Sequence, residues 1–214
     1  MKIGVIAGTP VDTAMGAEYV RRSGHTAIER PCSATPQEQM LLQDLHRDQL
    51  TDRVIALCDE MTAEGAEGIL MYCNSMAAAV DAEYVRGAIR SRKLVTPFDV
   101  YRESALQYSR LAVVAATSQS LGAIEKIIAE QNPACVSFGV SLLPLVIGIE
   151  TGRPPMEIFA SCGIEHFLRG FEILGAEALL LGCTHFPYIE GPVRKCFHGD
   201  VIEPSRRMLE LLEG

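Results

Sequence analysis

The feature that most constrains this chain is that it carries one pattern twice. Residues 65–75 read GAEGILMYCNS and residues 175–185 read GAEALLLGCTH. Gly65 and Gly175, Ala66 and Ala176, Glu67 and Glu177, Leu70 and Leu180, and Cys73 and Cys183 coincide, each pair 110 positions apart. Two further landmarks fall in the same order. Residues 3–9 (IGVIAGT) align with 111–117 (LAVVAAT) at an offset of 108, and Val95-Thr96-Pro97 aligns with Ile202-Glu203-Pro204 at 107. Ordered landmarks at nearly constant spacing mark a duplicated unit. The 214 residues then divide into two lobes, each near the lower end of domain size.

The fold class follows from what lies between the landmarks. Residues 2–7, 67–72, 111–116 and 177–182 are short continuous apolar runs, as expected of strands buried on both faces. Helical patterns separate them over 10–23, 36–61 (with a break near Thr51), 74–90, 98–108, 118–131, 155–174 and 204–213. Pro10 suits the first turn of its helix. Strand–helix alternation implies parallel sheets covered by helices. We therefore expect an α/β protein of two similar lobes related by a pseudo-two-fold axis, with the active site in the cleft between them. The first lobe is expected over 1–97, with the C-terminal helix 205–214 packing back onto it, and the second over 98–204. The hydrophobic share is 48% and Trp is absent, so aliphatic side chains must fill the cores.

Charge and cysteine usage narrow the function. A net charge of −8 argues against a nucleic-acid partner, which needs a basic face, while leaving room for an anionic small molecule in a local cleft. No apolar run reaches the roughly 18–20 residues of a membrane span. The N-terminal apolar stretch is interrupted by Gly8, Pro10 and Asp12, so it reads as a first strand rather than a signal peptide, in a cytoplasmic protein. The seven cysteines are odd in number and widely spaced, without C-x-x-C or paired histidines, so neither a disulfide scaffold nor a metal site is expected.

Two of those cysteines stand apart. Cys73 and Cys183 each sit just past the end of a buried strand, where ligands bind in open α/β sheets. Each precedes polar residues that open a helix, Asn74-Ser75 and Thr184-His185, and unpaired N–H groups at a helix start lower a thiol's pKa. Inverting a carbon stereocentre needs a base on one face and an acid on the other, with the roles exchanged in the reverse direction; two equivalent groups meet that demand. Burial as small core residues is the competing account for either cysteine alone. It is much weaker for a pair related by the repeat. Cys32, Cys58, Cys135, Cys162 and Cys196 lack this placement and are expected to be inert.

The motifs Cys73-Asn74-Ser75 and Gly182-Cys183-Thr184-His185-Phe186-Pro187, with the Thr117 turn, resemble those of the aspartate/glutamate racemase family over nearly the whole chain. The resemblance implies two α/β lobes, no cofactor, a homodimer, and one catalytic cysteine per lobe acting on a free amino acid or dicarboxylate. It makes Cys73 and Cys183 the two bases, with His185 assisting Cys183, and it lines the substrate site with Asn74, Ser75, Thr117, Ser120 and Thr184. The N-terminal turn, Gly8-Thr9-Pro10-Val11-Asp12-Thr13, departs from the family's Asp-Ser and Gly-Gly-Met-Gly-Pro forms; Asp12 or Thr9 takes the corresponding place beside Cys73. Bland alternatives stand beside these roles. Thr117 equally fits an N-cap of the helix over 118–131, His185 a packed core histidine, and Asp12 a first-turn charge. Ser33 reads first as a turn residue, and Glu150 as a solvated loop carboxylate that otherwise polarises His185. Arg30 and Arg153 are candidate cations for a substrate side-chain carboxylate.

Other chemistries fit less well. A pyridoxal-phosphate racemase needs a Schiff-base lysine, and none of Lys2, Lys93, Lys126 and Lys195 follows a phosphate-cradling glycine loop. Maleate-type cis–trans isomerases and hydantoin racemases also use cysteines in such a cleft, and arylmalonate-type decarboxylases use one. The GCTHFP run favours amino acids over the first two, and two cysteines disfavour the third. A metabolite-binding module without catalysis is the alternative from a different class.

Overall fold

The computed structural model describes residues 1–91 and 93–214, with Pro36, Met40 and Leu45 described by their backbone alone. Its contacts separate into two compact units, residues 1–99 with 205–214, and residues 100–204. Each unit is built on a four-stranded, wholly parallel sheet.

The first unit contains β1 (Lys2–Ala7), β2 (Thr26–Pro31), β3 (Gly68–Met71) and β4 (Leu94–Val95) in the order β2-β1-β3-β4. The second contains β5 (Arg110–Ala115), β6 (Val136–Ser141), β7 (Ala178–Gly182) and β8 (Asp200–Ile202) in the order β6-β5-β7-β8. The two sheets thus share one topology, strand for strand. The four apolar runs of the sequence become the central strands β1, β3, β5 and β7, buried along almost their whole length. The outer strands were not legible. β2 and β6 are half-buried and carry polar residues such as Glu29, Arg30 and Ser137, and β4 and β8 have only two and three residues.

The repeated Gly-Ala-Glu has a structural explanation. Gly65 and Gly175 follow the helices Arg47–Ala63 and Ile164–Ile173 with φ of +94° and +77°, a left-handed conformation that favours glycine. At each, the glycine N–H and the next alanine N–H turn back onto helix carbonyls: Gly65 to Thr62 and Ala66 to Met61, and Gly175 to Glu172 and Ala176 to Phe171. This is the Schellman ending, made twice. The glutamate then fastens the neighbouring strand. Glu67 Oε1 accepts from the Lys2 N–H at 2.6 Å, and Glu177 Oε2 accepts from Ser109 and Arg110 N–H at 2.6 and 3.1 Å.

Several helices are shorter than their sequence patterns. The 36–61 stretch breaks at His46, not Thr51, into Pro36–Leu45 and Arg47–Ala63. The stretch 74–90 splits into Asn74–Ala79 and Ala82–Ala88 because Asp81 caps the second helix, accepting from the N–H groups of Glu83 and Tyr84. The stretch 155–174 splits at Gly163, in the left-handed region, into Pro155–Ser161 and Ile164–Ile173. The C-terminal helix Pro204–Glu213 belongs to the first unit, held by a 2.8 Å hydrogen bond between Tyr72 Oη and Ser205 Oγ. In the second unit, Ala112, Val114, Leu179 and Leu181 of the central strands pack with Leu145, Ile158, Leu168, Phe171 and Phe186. No helix among the described residues is long and apolar enough to cross a membrane.

Candidate active site

Both sheets run outward from their first strand on one side and return to the other. The reversal of strand order lies between β1 and β3 in the first unit and between β5 and β7 in the second. At such a switch point the loops leaving adjacent strands diverge and open a crevice at the carboxyl ends. Gly8-Thr9 and Cys73 leave β1 and β3 there, and Thr117 and Cys183 leave β5 and β7.

The two threonine turns are built alike. Thr9 caps the helix Pro10–Arg22, its hydroxyl accepting from the Asp12 N–H at 3.4 Å. Thr117 caps Ser118–Gln131, accepting from the Ser120 N–H at 3.2 Å. Thr9 therefore answers to Thr117, and buried Asp12 answers to buried Ser120. Each threonine satisfies an orphan helix-start N–H, a contribution of about 1 kcal/mol. The capping role proposed for Thr117 is present, and the equivalent cap at Thr9 had no sequence signal beyond the repeat. Ser33 is a turn residue: its hydroxyl donates to the Gly8 carbonyl at 2.6 Å.

Around Cys73, 4% exposed, the first unit gathers hydroxyl and amide groups. Ser75 Oγ lies 3.4 Å from Cys73 Sγ, and Gln39 Nε2 lies 3.6 Å from the same sulfur and 3.3 Å from Ser75 Oγ. Gln43 Nε2 donates to Ser75 Oγ at 3.1 Å. Gln39 and Gln43 come from the helix Pro36–Leu45 and were not singled out by sequence; their one signal is an i, i+4 spacing that places them on one helix face. Asn74 is buried at the start of the helix Asn74–Ala79.

The thiol does not follow the expectation of a depressed pKa. Burial pushes Cys73 up, the Asp12 carboxylate adds to that, and hydrogen bonds from Ser75 and from the Met76 and Gly8 backbone N–H groups act in the opposite sense. A helix start of six residues does not offset the loss of water around the sulfur. Because a neighbouring negative charge raises an acid's pKa, removing it must lower it. The Asp12→Asn variant is expected to increase the thiolate fraction of Cys73, and its alkylation by iodoacetamide at pH 7.5 should accelerate severalfold, read by site-resolved mass spectrometry. Slower or unchanged labelling of Cys73 would refute this coupling. Burial also holds the Cys58 thiol up, to about 12.

The second unit surrounds its cysteine differently. Cys183, 7% exposed, is followed by Thr184 and His185 and then by a short 3-10 turn, Phe186–Ile189, so no α-helix starts at this thiol as the sequence had suggested. Pro187 inside that run keeps the turn tight. His185, 5% exposed, sets its Nδ1 3.6 Å from Cys183 Sγ. Its Nε2 lies 3.2 Å from Glu150 Oε1. Glu150 is the last residue of the helix Leu143–Glu150, so it remains solvated as expected but is not in a loop: a helix nearly free of polar residues carries it to the imidazole. The separation of Nε2 from this carboxylate is one of an ion pair, which forms when the imidazole is protonated. Thr184 is buried beside them.

The candidate cations are engaged elsewhere. Arg30 pairs with Glu64 and Glu60, and Arg153 with Glu157 and the Ser161 hydroxyl.

Both sheets therefore place a threonine cap and a buried thiol at the same topological point. No family model matches the chain. It is 27% identical over 196 residues to the glutamate racemase of Corynebacterium kroppenstedtii, covering 88% of this chain and 62% of that protein. This chain is a relative of the aspartate/glutamate racemases. It spans between 42% and 62% of the length of the curated glutamate racemases it matches. Among solved structures, the allantoin racemase of Klebsiella pneumoniae has the same fold at a TM-score of 0.74, with 14% identity, covering 100% of this chain and 86% of that one. The glutamate racemase of Francisella tularensis in complex with D-glutamate shares it at 0.69, with 16% identity, covering 99% and 79%.

Proposed function

We propose that this chain racemises a free amino acid, glutamate or aspartate, without a cofactor, by 1,1-proton transfer between Cys73 and Cys183. The observation that supports it most is the recurrence of a buried thiol at the switch point of both sheets. Kinship with the glutamate racemases adds the substrate class.

In this mechanism one thiolate removes the α-proton from its face of the substrate carbon and the other thiol delivers a proton to the opposite face. The reverse reaction exchanges the roles, which is why both ends must be thiols of comparable acidity. Cys183 hands its proton to His185 Nδ1, and Glu150 stabilises the imidazolium that forms. Asp12 is the carboxylate that acts on Cys73 in the first unit. Backbone N–H groups with Asn74, Ser75, Thr9, Thr117, Ser120 and Thr184 anchor the substrate's carboxylates by neutral donors. The enzyme is taken to be a homodimer, as the resemblance implies.

The test is α-proton exchange in D₂O followed by NMR, with both enantiomers of glutamate, aspartate and neutral amino acids, and with hydantoins and maleate as outgroups. Loss of the α-proton signal from both enantiomers of one acidic amino acid is expected. Turnover of a hydantoin or of maleate alone would replace the substrate assignment, and binding of amino acids without exchange would leave a binding module in its place.

A further inference from the structure

The groups around the first thiol define the direction of every proton in the cluster. Ser75 Oγ receives the Gln43 amide at 3.1 Å and the Gln39 amide at 3.3 Å. A hydroxyl has two acceptor sites and one proton. With both acceptor sites engaged, the Ser75 proton is the group left to meet Cys73 Sγ at 3.4 Å. The Gln39 amide has two protons; one serves Ser75, and the other faces Cys73 Sγ at 3.6 Å. The sulfur therefore receives two side-chain donors, both ultimately fixed by a helix of the opposite end of the loop, Pro36–Leu45.

A second observation fixes where Gln39 sits. A Cβ built on Gly8 would lie 2.0 Å from Gln39 Nε2 and 2.2 Å from its Cδ. The glutamine amide occupies the space above Gly8 that any other residue would fill, and the Gly8 N–H itself points to Cys73. The glycine of the first turn is thus shaped to admit this amide. In the second unit an imidazole lies beside Cys183, with a carboxylate beyond it.

We propose that Gln39 is a positioning residue for Cys73: seated over Gly8, its amide donates to the sulfur and, through Ser75, turns a second donor onto it, so that the Cys73 thiolate is held as a base. This assignment rests on the two-cysteine reaction proposed above. The two half-reactions then depend on different side chains. Proton removal by Cys73 needs Gln39 and Ser75, and proton removal by Cys183 needs His185 and Glu150. No atom is transferred to or from Gln39; it keeps both amide protons throughout.

Gln39→Leu and Gln39→Glu test this in the full chain. Leucine removes the donors at similar length, and glutamate replaces them with a negative charge. Alkylation by iodoacetamide across pH 6–10, resolved by mass spectrometry at each cysteine, should show Cys73 labelling at pH 8 about tenfold slower in Gln39→Leu and slower again in Gln39→Glu, since a hydrogen bond to an ionised partner is worth roughly one pKa unit. Cys183 labelling should be unchanged, which also reports that the chain is folded. Gly8→Ala, which expels the amide, should reproduce the Cys73 effect. For the enantiomer deprotonated by Cys73, kcat should fall and its acidic pH limb move upward with KM nearly constant. An unchanged Cys73 profile in both Gln39 variants, or an equal change at Cys183, overturns the assignment. If the Cys73 profile moves but the unmodified protein exchanges no amino-acid α-proton, the racemase proposal fails and the Gln39 assignment stands.

Discussion

Replacing Cys73 or Cys183 by alanine is expected to reduce interconversion of enantiomers by at least about 10³-fold, the scale of a lost general acid or base. The more informative outcome is what each variant retains. On the proposed mechanism, with Cys73 removed the Cys183 thiolate is expected to take a proton from one enantiomer alone, returning solvent deuterium to the same side. With Cys183 removed, the other enantiomer should exchange. The two variants are therefore expected to show slow α-proton exchange of opposite enantiomers, without inversion, while the double variant shows neither. NMR of each pure enantiomer in D₂O with each variant measures this directly. If one single variant exchanges both enantiomers and the other exchanges none, a one-base mechanism holds and the symmetry of the repeat has no catalytic meaning.

The residual rates need not be equal. His185 Nδ1 lies 3.6 Å from Cys183 Sγ, with Glu150 at its other nitrogen. Cys73 has a buried carboxylate neighbour that raises its pKa and hydrogen-bond donors that lower it. The same strand end carries a thiol in each unit, in two different environments. The exchange remaining in Cys73→Ala should be sensitive to loss of the His185 imidazole, and that in Cys183→Ala should not.

The largest effect on stability is expected at Gly139. This residue lies in β6 opposite Val113 of β5, and a Cβ there would sit 2.3 Å from the Val113 carbonyl oxygen and 2.8 Å from Leu121 Cδ1. The carbonyl belongs to the central strand of its sheet and cannot turn aside as a side chain tip would. Gly139→Ala must therefore displace β6 or break its pairing. The expected cost is about 3 kcal/mol, the upper part of the range for overpacked interiors, and the melting temperature should fall by roughly 6–12 °C for a chain of this size. Gly170, in the helix Ile164–Ile173, has nothing within 4 Å of its Cβ position. Gly170→Ala should instead stabilise by about 0.5–1 kcal/mol by removing backbone freedom from the unfolded chain. Thermal melts of both variants by circular dichroism decide the matter. A Gly139→Ala melt within about 2 °C of the parent would show that β6 moves freely and does not hold the sheet.

Much of the fold was legible because burial of a parallel strand on both faces leaves an unbroken apolar run, and the chain has four of these. The repeat located both thiols for a related reason: Gly-Ala-Glu ends a helix and fastens a strand in each unit, and those local contacts tolerate little variation. The outer strands escaped because half-buried edges accept residues such as Glu29, Arg30 and Ser137 that carry no clear period. Helix breaks at His46 and Gly163 escaped because apolar spacing continued across them.

The amino-acid sequence by itself determined the duplicated α/β architecture and singled out Cys73 and Cys183, because both are expressed in short segments whose residues interact with one another. It also placed His185 two positions from its thiol. Only the tertiary structure decided what surrounds those thiols. Gln39 is 34 positions from Cys73, and Glu150 is 35 from His185; neither separation has any period that a local pattern could register. The direction of the Cys73 pKa was likewise a tertiary result. A helix start is written in sequence, but the burial of the sulfur and the approach of Asp12 arise only when β1 and β3 lie side by side, and desolvation then outweighs the helix.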